Sequence, residues 1–177
     1  RNEAYKLLKE EVKKYSDLPT LHLGAEVHYF DGIGRWDGLK DLAIENTNYV
    51  LIEMPMSPWS SRMYKELEDI YNYQGLIPIM AHIDRYISPF KTYDIPHKLS
   101  KLPVLVQVNG SFFMKPLTYR FALKLLSHGL IHVIGSDCHN LTSRPPNLKE
   151  VRERIETKLG KESIKAINAI TRDVLSI

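Results

Sequence analysis

Apolar and polar positions along the chain switch between a helical and a strand-like period, and the switches delimit its elements. Glu3–Tyr15 places Ala4, Leu8, Val12 and Tyr15 at helical spacing among lysines and glutamates, which predicts an amphipathic helix with one buried stripe. Asp17-Leu18-Pro19 ends it. Thr20–Tyr29 predicts a strand with Glu26 near its end, followed by a turn-rich stretch at Asp31–Gly34 and a weak helix around Trp36–Ala43. Tyr49–Met54 is an apolar run broken only by Glu53, and such a run suits a strand covered on both faces. A helix follows from Ser61 to Gln74, with Met63, Leu67, Ile70 and Gln74 on one face and Gly75 as its stop.

The third predicted strand, Leu76–Ile83, ends at His82 and runs into Asp84-Arg85-Tyr86. A looser segment, Ile87–Lys101, holds one short helix opening at Pro96. Val104–Asn109 is a fourth strand, and Pro116 opens a helix through His128 with Gly129 as its stop. The fifth apolar run, Ile131–Ile134, leads through Gly135-Ser136 to Asp137, Cys138 and His139. Asn147 and Glu150 have capping-box spacing ahead of a helix carrying Leu148, Val151, Ile155 and Leu159. Glu162–Leu175 predicts one or two short helices. Strand and helix thus alternate about five times, which implies an α/β fold with a parallel sheet, doubly wound or closed as a barrel.

Composition narrows the classes. The 177 residues fit one domain, with 44% hydrophobic and 25% charged residues as in ordinary globular chains. A net charge of +3, with bases and acids interleaved, gives no case for nucleic acid. No apolar stretch reaches the roughly 18–20 residues that span a bilayer. The single cysteine excludes an internal disulfide and suits a reducing compartment. Neither G-x-G-x-x-G nor a P-loop motif occurs, which weakens nucleotide-binding folds of those types.

The chemistry is concentrated at strand ends. Glu26, Glu53, His82 and the pair Asp137/His139 each close an apolar run on its C-terminal side. Carboxylates and imidazoles are costly to bury without partners. In β/α barrels the C-terminal ends of the strands share one mouth, where catalysis occurs. Oxygen and nitrogen ligands converging there suit Zn²⁺, Mn²⁺ or Fe²⁺, and a bridging carboxylate could hold two ions. Arg85 and Arg144, just beyond His82 and His139, are the residue type that binds phosphate in a bidentate fork. The other histidines, His22, His28, His97, His128 and His132, lack this placement and read as ordinary structural residues.

Cys138 and Arg144 also spell Cys-x5-Arg, the spacing of a thiolate phosphatase. Such an enzyme needs a loop of free backbone N–H groups and a helix N-terminus to depress the thiol pKa. Here the loop has no glycine, and Pro145-Pro146 removes two donors. Cys138 is therefore expected to be a small, buried apolar residue.

The stretches G-A-E-V-H-Y (Gly24–Tyr29), Y-V-L-I-E-M (Tyr49–Met54), P-I-M-A-H-I-D-R-Y (Pro78–Tyr86), V-Q-V-N (Val106–Asn109) and H-V-I-G-S-D-C-H-N-L-T-S-R-P-P (His132–Pro146) resemble the PHP (polymerase and histidinol phosphatase) superfamily. They are most similar to the bacterial metal-dependent tyrosine-protein phosphatases of capsular and exopolysaccharide operons. The resemblance implies a distorted (β/α)7 TIM-like barrel with a trinuclear metal site. Residues 1–177 would be a single phosphatase domain holding the C-terminal five βα units, with the N-terminal units and their H-x-H segment absent from the chain. By resemblance, Glu26 would bridge two metals, Glu53 and His82 would complete one of them, and Asp137 and His139 would ligate the others. Manganese is the expected metal, with iron or zinc as alternatives. Arg85 and Arg144 match phosphate-orienting arginines. The implied reaction is hydrolysis of phosphotyrosine without a phosphoenzyme, by a cytoplasmic protein acting on the C-terminal tail of a bacterial tyrosine kinase that controls polysaccharide export. Within the same superfamily a histidinol-phosphatase-like esterase is the alternative. Outside enzymes, a remnant that only binds kinase or phosphopeptide is another.

Overall fold

Five parallel strands lie side by side in the order in which they occur along the chain. They are β1 (Glu26–His28), β2 (Tyr49–Glu53), β3 (Ile77–Met80), β4 (Leu105–Asn109) and β5 (Val133–Gly135). Six α-helices accompany them among the described residues: α1 (Asn2–Val12), α2 (Ser61–Gln74), α3 (Ile95–Leu99), α4 (Pro116–Ser127), α5 (Leu148–Leu159) and α6 (Lys161–Leu175). This computed structural model describes residues 2–87 and 94–176. Because every pair is parallel, the strands' C-terminal ends line one edge of the sheet.

Side-chain alternation sorts the strands into two faces. Val27, Val50, Ile52, Met80, Val106 and Val108 belong to the main core together with Leu67 and Ile70 of α2, Leu125 of α4 and Ile155 of α5. Burying each of the larger aliphatics is worth about 1.5–3 kcal/mol. The opposite face carries Tyr49, Leu51, Ile77, Ile79, Leu105 and Val133, and it is covered by Ile170 and Val174 of α6. The Tyr49 hydroxyl donates to the Asp173 carboxylate and ties the end of α6 to β2. With both faces covered, the strands read as continuous apolar runs. Register places Glu26 opposite Leu51, Ile52 opposite Met80, and Gln107 opposite Val133, so residues of the same face form rows across the sheet.

Several expectations change here. The strand expected over Thr20–Tyr29 pairs only at Glu26–His28, as an edge beside β2. α1 is amphipathic, yet none of its residues is buried. It is held by the Tyr5 hydroxyl, which lies 2.8 Å from the Leu21 carbonyl and 2.5 Å from Glu45 Oε2. The weak helix near Trp36 is a 3-10 helix, Asp37–Leu42. Asn147 does not cap α5; its Oδ1 is buried against Gly110, without a hydrogen-bond partner. The tail forms one helix. Of the looser segment Ile87–Lys101, α3 is present and residues 88–93 lie outside the described residues. α2 keeps its expected limits, because Ser60 Oγ accepts the Met63 N–H at 3.3 Å and Gly75 turns left-handed at φ 67°.

Candidate metal centre

β1, β2 and the turn after β3 bring Glu26, Glu53 and His82 together. His82 Nε2 lies 3.0 Å from Glu26 Oε1 and 3.3 Å from Glu53 Oε1. Each residue offers a ligand atom, and all three atoms fall within 4.8 Å of one another. The His82 side chain is 2% exposed, while Glu26 and Glu53 keep 38% and 29%, so the cluster has one closed and one open side. A neutral imidazole has a single N–H and cannot neutralise two facing carboxylates. A divalent cation does, so this donor set fits such an ion. In one respect the centre departs from common practice: a ligating histidine usually donates its other ring N–H. Here His82 Nδ1 has no hydrogen-bond partner, and the ring stacks on Tyr86 at 6.1 Å.

His82 reaches the cluster through a left-handed backbone at φ 35°, ψ 52°, a conformation that costs a non-glycine residue about 1–2 kcal/mol. Two contacts hold it. Its backbone N–H donates to Gln107 Oε1, and its carbonyl accepts the Arg85 N–H at 2.9 Å. Gln107 is itself fixed, since Nε2 donates to the Val108 carbonyl at 3.0 Å and lies 3.4 Å from Asn109 Oδ1. Gly135 on β5 leaves room for that amide, because a Cβ there would meet Gln107 Nε2 at 2.6 Å.

Asp137, also left-handed at φ 51°, is held in a parallel way. Asn109 Nδ2 lies 3.4 Å from its Oδ2, and the Asn109 backbone N–H donates to Asp84 Oδ1 at 2.8 Å. Burial raises the Asp84 carboxyl above its ordinary pKa, against the effect of that backbone bond. The strand between β3 and β5 thus carries none of the expected ligands, yet two of its inward amides fix expected ligands on both sides. Sequence reasoning gave Gln107, Asn109 and Asp84 no role. The available signal was parity, with two polar residues alternating with Val106 and Val108. His28, taken as an ordinary residue, lies with Nδ1 3.2 Å from Glu53 Oε2.

Arg85 joins the two halves. Its Nη1 is 3.6 Å from Glu53 Oε1, and its Nη2 donates to Asp137 Oδ2. Arg144 Nη1 is 3.5 Å from the same Asp137 oxygen and 3.2 Å from each ring nitrogen of His139. His139 is exposed and lies outside the three-residue cluster; its Nδ1 is 2.8 Å from the Asp137 carbonyl. The structure therefore groups Glu26, Glu53 and His82, links Asp137 to them through Arg85, and leaves His139 with Arg144.

Cys138 corrects an expectation. It is exposed, with Sγ 3.7 Å from the Asn140 carbonyl. Pairing ends at Gly135 and Asp137 turns left-handed, so strand alternation no longer governs this residue. The thiolate reading loses support independently. The N–H groups of Thr142, Ser143 and Arg144 all donate to Asn140 Oδ1, at 3.0, 2.8 and 3.0 Å, so they form no cradle around the thiol.

Below the cluster lies a cavity of about 420 Å³, walled by Glu26, His82, Gln107, Asn109 and Asp137 on one side and by Thr171, Val174 and Leu175 of α6 on another.

Comparison with known proteins agrees with this picture. Residues 1–173 match the family described as capsular polysaccharide synthesis, CpsB/CapC. Over 174 residues the chain is 28% identical to tyrosine-protein phosphatase CpsB of Streptococcus pneumoniae, covering 93% of this chain and 71% of that protein. Over 172 residues it is 27% identical to tyrosine-protein phosphatase YwqE of Bacillus subtilis, covering 92% and 65% respectively. A solved structure, from work on YwqE and CpsB as metal-dependent tyrosine phosphatases, superposes with a TM-score of 0.82 at 24% identity, over 98% of this chain and 72% of that one. At that identity the superposition establishes the fold alone.

Proposed function

The chain belongs to the CpsB/CapC family of capsular polysaccharide synthesis, and from that premise we propose that it is a metal-dependent protein-tyrosine phosphatase of a capsular or exopolysaccharide system. The observation that carries this reading is the convergence of Glu26, Glu53 and His82 on the strands' C-terminal edge. On the same reading, residues 1–177 are the C-terminal five βα units of one PHP-type phosphatase domain, and their unreversed strand order is that of an arc of a (β/α)7 barrel. The substrate is phosphotyrosine on a bacterial tyrosine kinase in the cytoplasm.

Glu26, Glu53 and His82 would hold one ion, with Asp137 and His139 contributing to others. Manganese suits this oxygen-rich set, and iron or zinc could replace it. Such an ion supplies Lewis acidity and an activated water when bound. The chain's own groups then have distinct tasks. The two glutamates fix the charge of the centre. Gln107 and Asn109 keep His82 and Asp137 in place. Arg85 and Arg144 offer guanidinium donors on the open side, where they orient the phosphate and balance charge developing on its oxygens.

Phosphate release from a tyrosine-phosphorylated peptide tests the reading. Chelation should abolish release, added Mn²⁺ should restore it, and Cys138→Ser should behave as wild type. Chelator-resistant release lost in Cys138→Ser would overturn the metal mechanism. Peptide binding without turnover under any divalent metal would make the chain a binding module.

A further inference from the structure

A second cleft, also of about 420 Å³, opens on the other side of Arg85. Trp59, Tyr64 and Tyr86 wall it, Met56 stands at its rim with 75% exposure, and Lys98 lines it together with Arg85. We propose that this cleft is the subsite for the aromatic ring of an aryl phosphate whose phosphate lies at the arginine–metal centre. The proposal rests on the phosphatase reading above and adds what that reading leaves open, namely where the leaving group sits and why an aryl ester is preferred.

The carbon walls are built for contact. Trp59 packs against Tyr86 with centroids 5.2 Å apart at 63°, and against Tyr64 at 5.7 Å and 54°. Trp59 Nε1 donates to the Pro55 carbonyl at 3.3 Å, and the Tyr86 hydroxyl donates to the Met54 carbonyl at 2.5 Å. The polar atoms of both rings are thus satisfied by the loop after β2; Tyr86, 8% exposed, backs Trp59, whose part-exposed carbon surface can meet a ligand ring.

Charge runs along the cleft in the matching sense. At one end Arg85 lines the cleft while its guanidinium reaches Glu53 and Asp137, so it borders cleft and centre at once. Lys98 Nζ lies 5.7 Å from the Tyr64 centroid and is tied to Asp94 at 2.6 Å. An aryl phosphate has an apolar plane and a dianionic end, the same order as aromatic wall and arginine. A short alkyl phosphate would leave the walls uncovered.

Non-hydrolysable phosphonates test the assignment on the full chain with Mn²⁺ present. Trp59 is one of two tryptophans, so a Trp36→Phe background makes it the sole reporter without altering the cleft. Benzylphosphonate should shift Trp59 fluorescence and bind tighter than methylphosphonate by about tenfold, as expected for taking one aromatic ring out of water. Tyr64→Ala should shrink that preference to about threefold or less while leaving methylphosphonate affinity in place, since part of the apolar contact is lost. Equal binding of both phosphonates with unchanged Trp59 emission would overturn the cleft and leave the phosphatase reading standing. Binding of neither would overturn both. The fluorescence arm uses an unaltered cleft, so misfolding of Tyr64→Ala would not decide the question.

Discussion

The turns after β3 and β5 solve the same problem differently. Each leaves a short parallel strand and passes through a left-handed non-glycine residue, His82 at φ 35° and Asp137 at φ 51°. The first delivers an imidazole that is 2% exposed into a cluster with two carboxylates. The second delivers Asp137 at 15% side-chain exposure and then His139 at 57%, with Arg144 as the histidine's neighbour. Position in the sheet explains the contrast. β3 has strands on both sides, so Glu26, Glu53 and Gln107 enclose its end. β5 is paired only with β4, and beyond Asp137 nothing in the sheet encloses the chain. A strained backbone at both turns is therefore not enough to make a buried centre; flanking strands are also needed.

The comparison can be broken most directly with His82→Ala against His139→Ala. His82→Ala should abolish metal binding in calorimetry and cost about 2–4 kcal/mol of metal-free stability, because it empties a buried site. His139→Ala should stay within about 0.5 kcal/mol of wild type without metal, as exposed substitutions do. Equal losses in denaturant melts would remove the distinction. A smaller effect is expected from Gln107→Leu, which unpairs the buried His82 N–H at about 1–3 kcal/mol. It should also weaken metal binding about 10- to 100-fold, the usual scale for a supporting residue; unchanged affinity would show that the strained turn holds itself. Gly135→Ala attacks the same amide from β5, and overpacking predicts about 1–3 kcal/mol together with a weaker metal affinity in the same direction as Gln107→Leu. Stability loss with affinity intact would separate packing from positioning.

The smallest predicted effect lies away from the centre, where β5 begins. His132 Nδ1 accepts the Val106 N–H at 3.0 Å, and burial lowers its pKa below 6.5. The unfolded chain then takes up a proton at a higher pH than the folded one. Stability should fall as pH drops below about 6.5, flattening once pH passes the folded pKa. His132→Gln should remove that part of the slope in thermal melts at pH 7.5 and 5.5. An identical slope would assign it elsewhere.

Strong periodicity made much of the fold legible. Ser61–Gln74 had apolar spacing, a serine cap and a terminal glycine, and the helix has those limits. Tyr49–Ile52 is apolar on both parities because helices cover one face and α6 the other, whereas Leu105–Asn109 is apolar throughout only on the parity of Val106 and Val108. Thr20–Ala25 alternates like a strand, but β1 finds a partner only in β2 and pairing begins at Glu26. Pattern does not report partner availability. The apolar stripe of α1 misled for the same reason, since nothing packs deeply against it. At the centre, Glu26, Glu53 and His82 were visible because an ionisable residue closing an apolar run is conspicuous. Gln107 and Asn109 were not, because neutral amides inside a strand look like ordinary polar positions. Cys138 is exposed rather than buried as a small apolar residue, because pairing stops at Gly135 and the chain has left the sheet before it.

The sequential strand order has a consequence for how the protein is made. Glu26 and His82 meet across 56 positions, and β2, which contributes Glu53, is inserted between their strands. No local segment contains the cluster, so it exists only after three βα units have docked. Chains stalled with one or two units formed have no such centre to saturate. A divalent cation that selects the assembled arrangement adds its binding free energy to the folded state alone. Availability of the ion during synthesis would then act as a checkpoint on maturation, scavenging finished chains from the pool of partly folded ones.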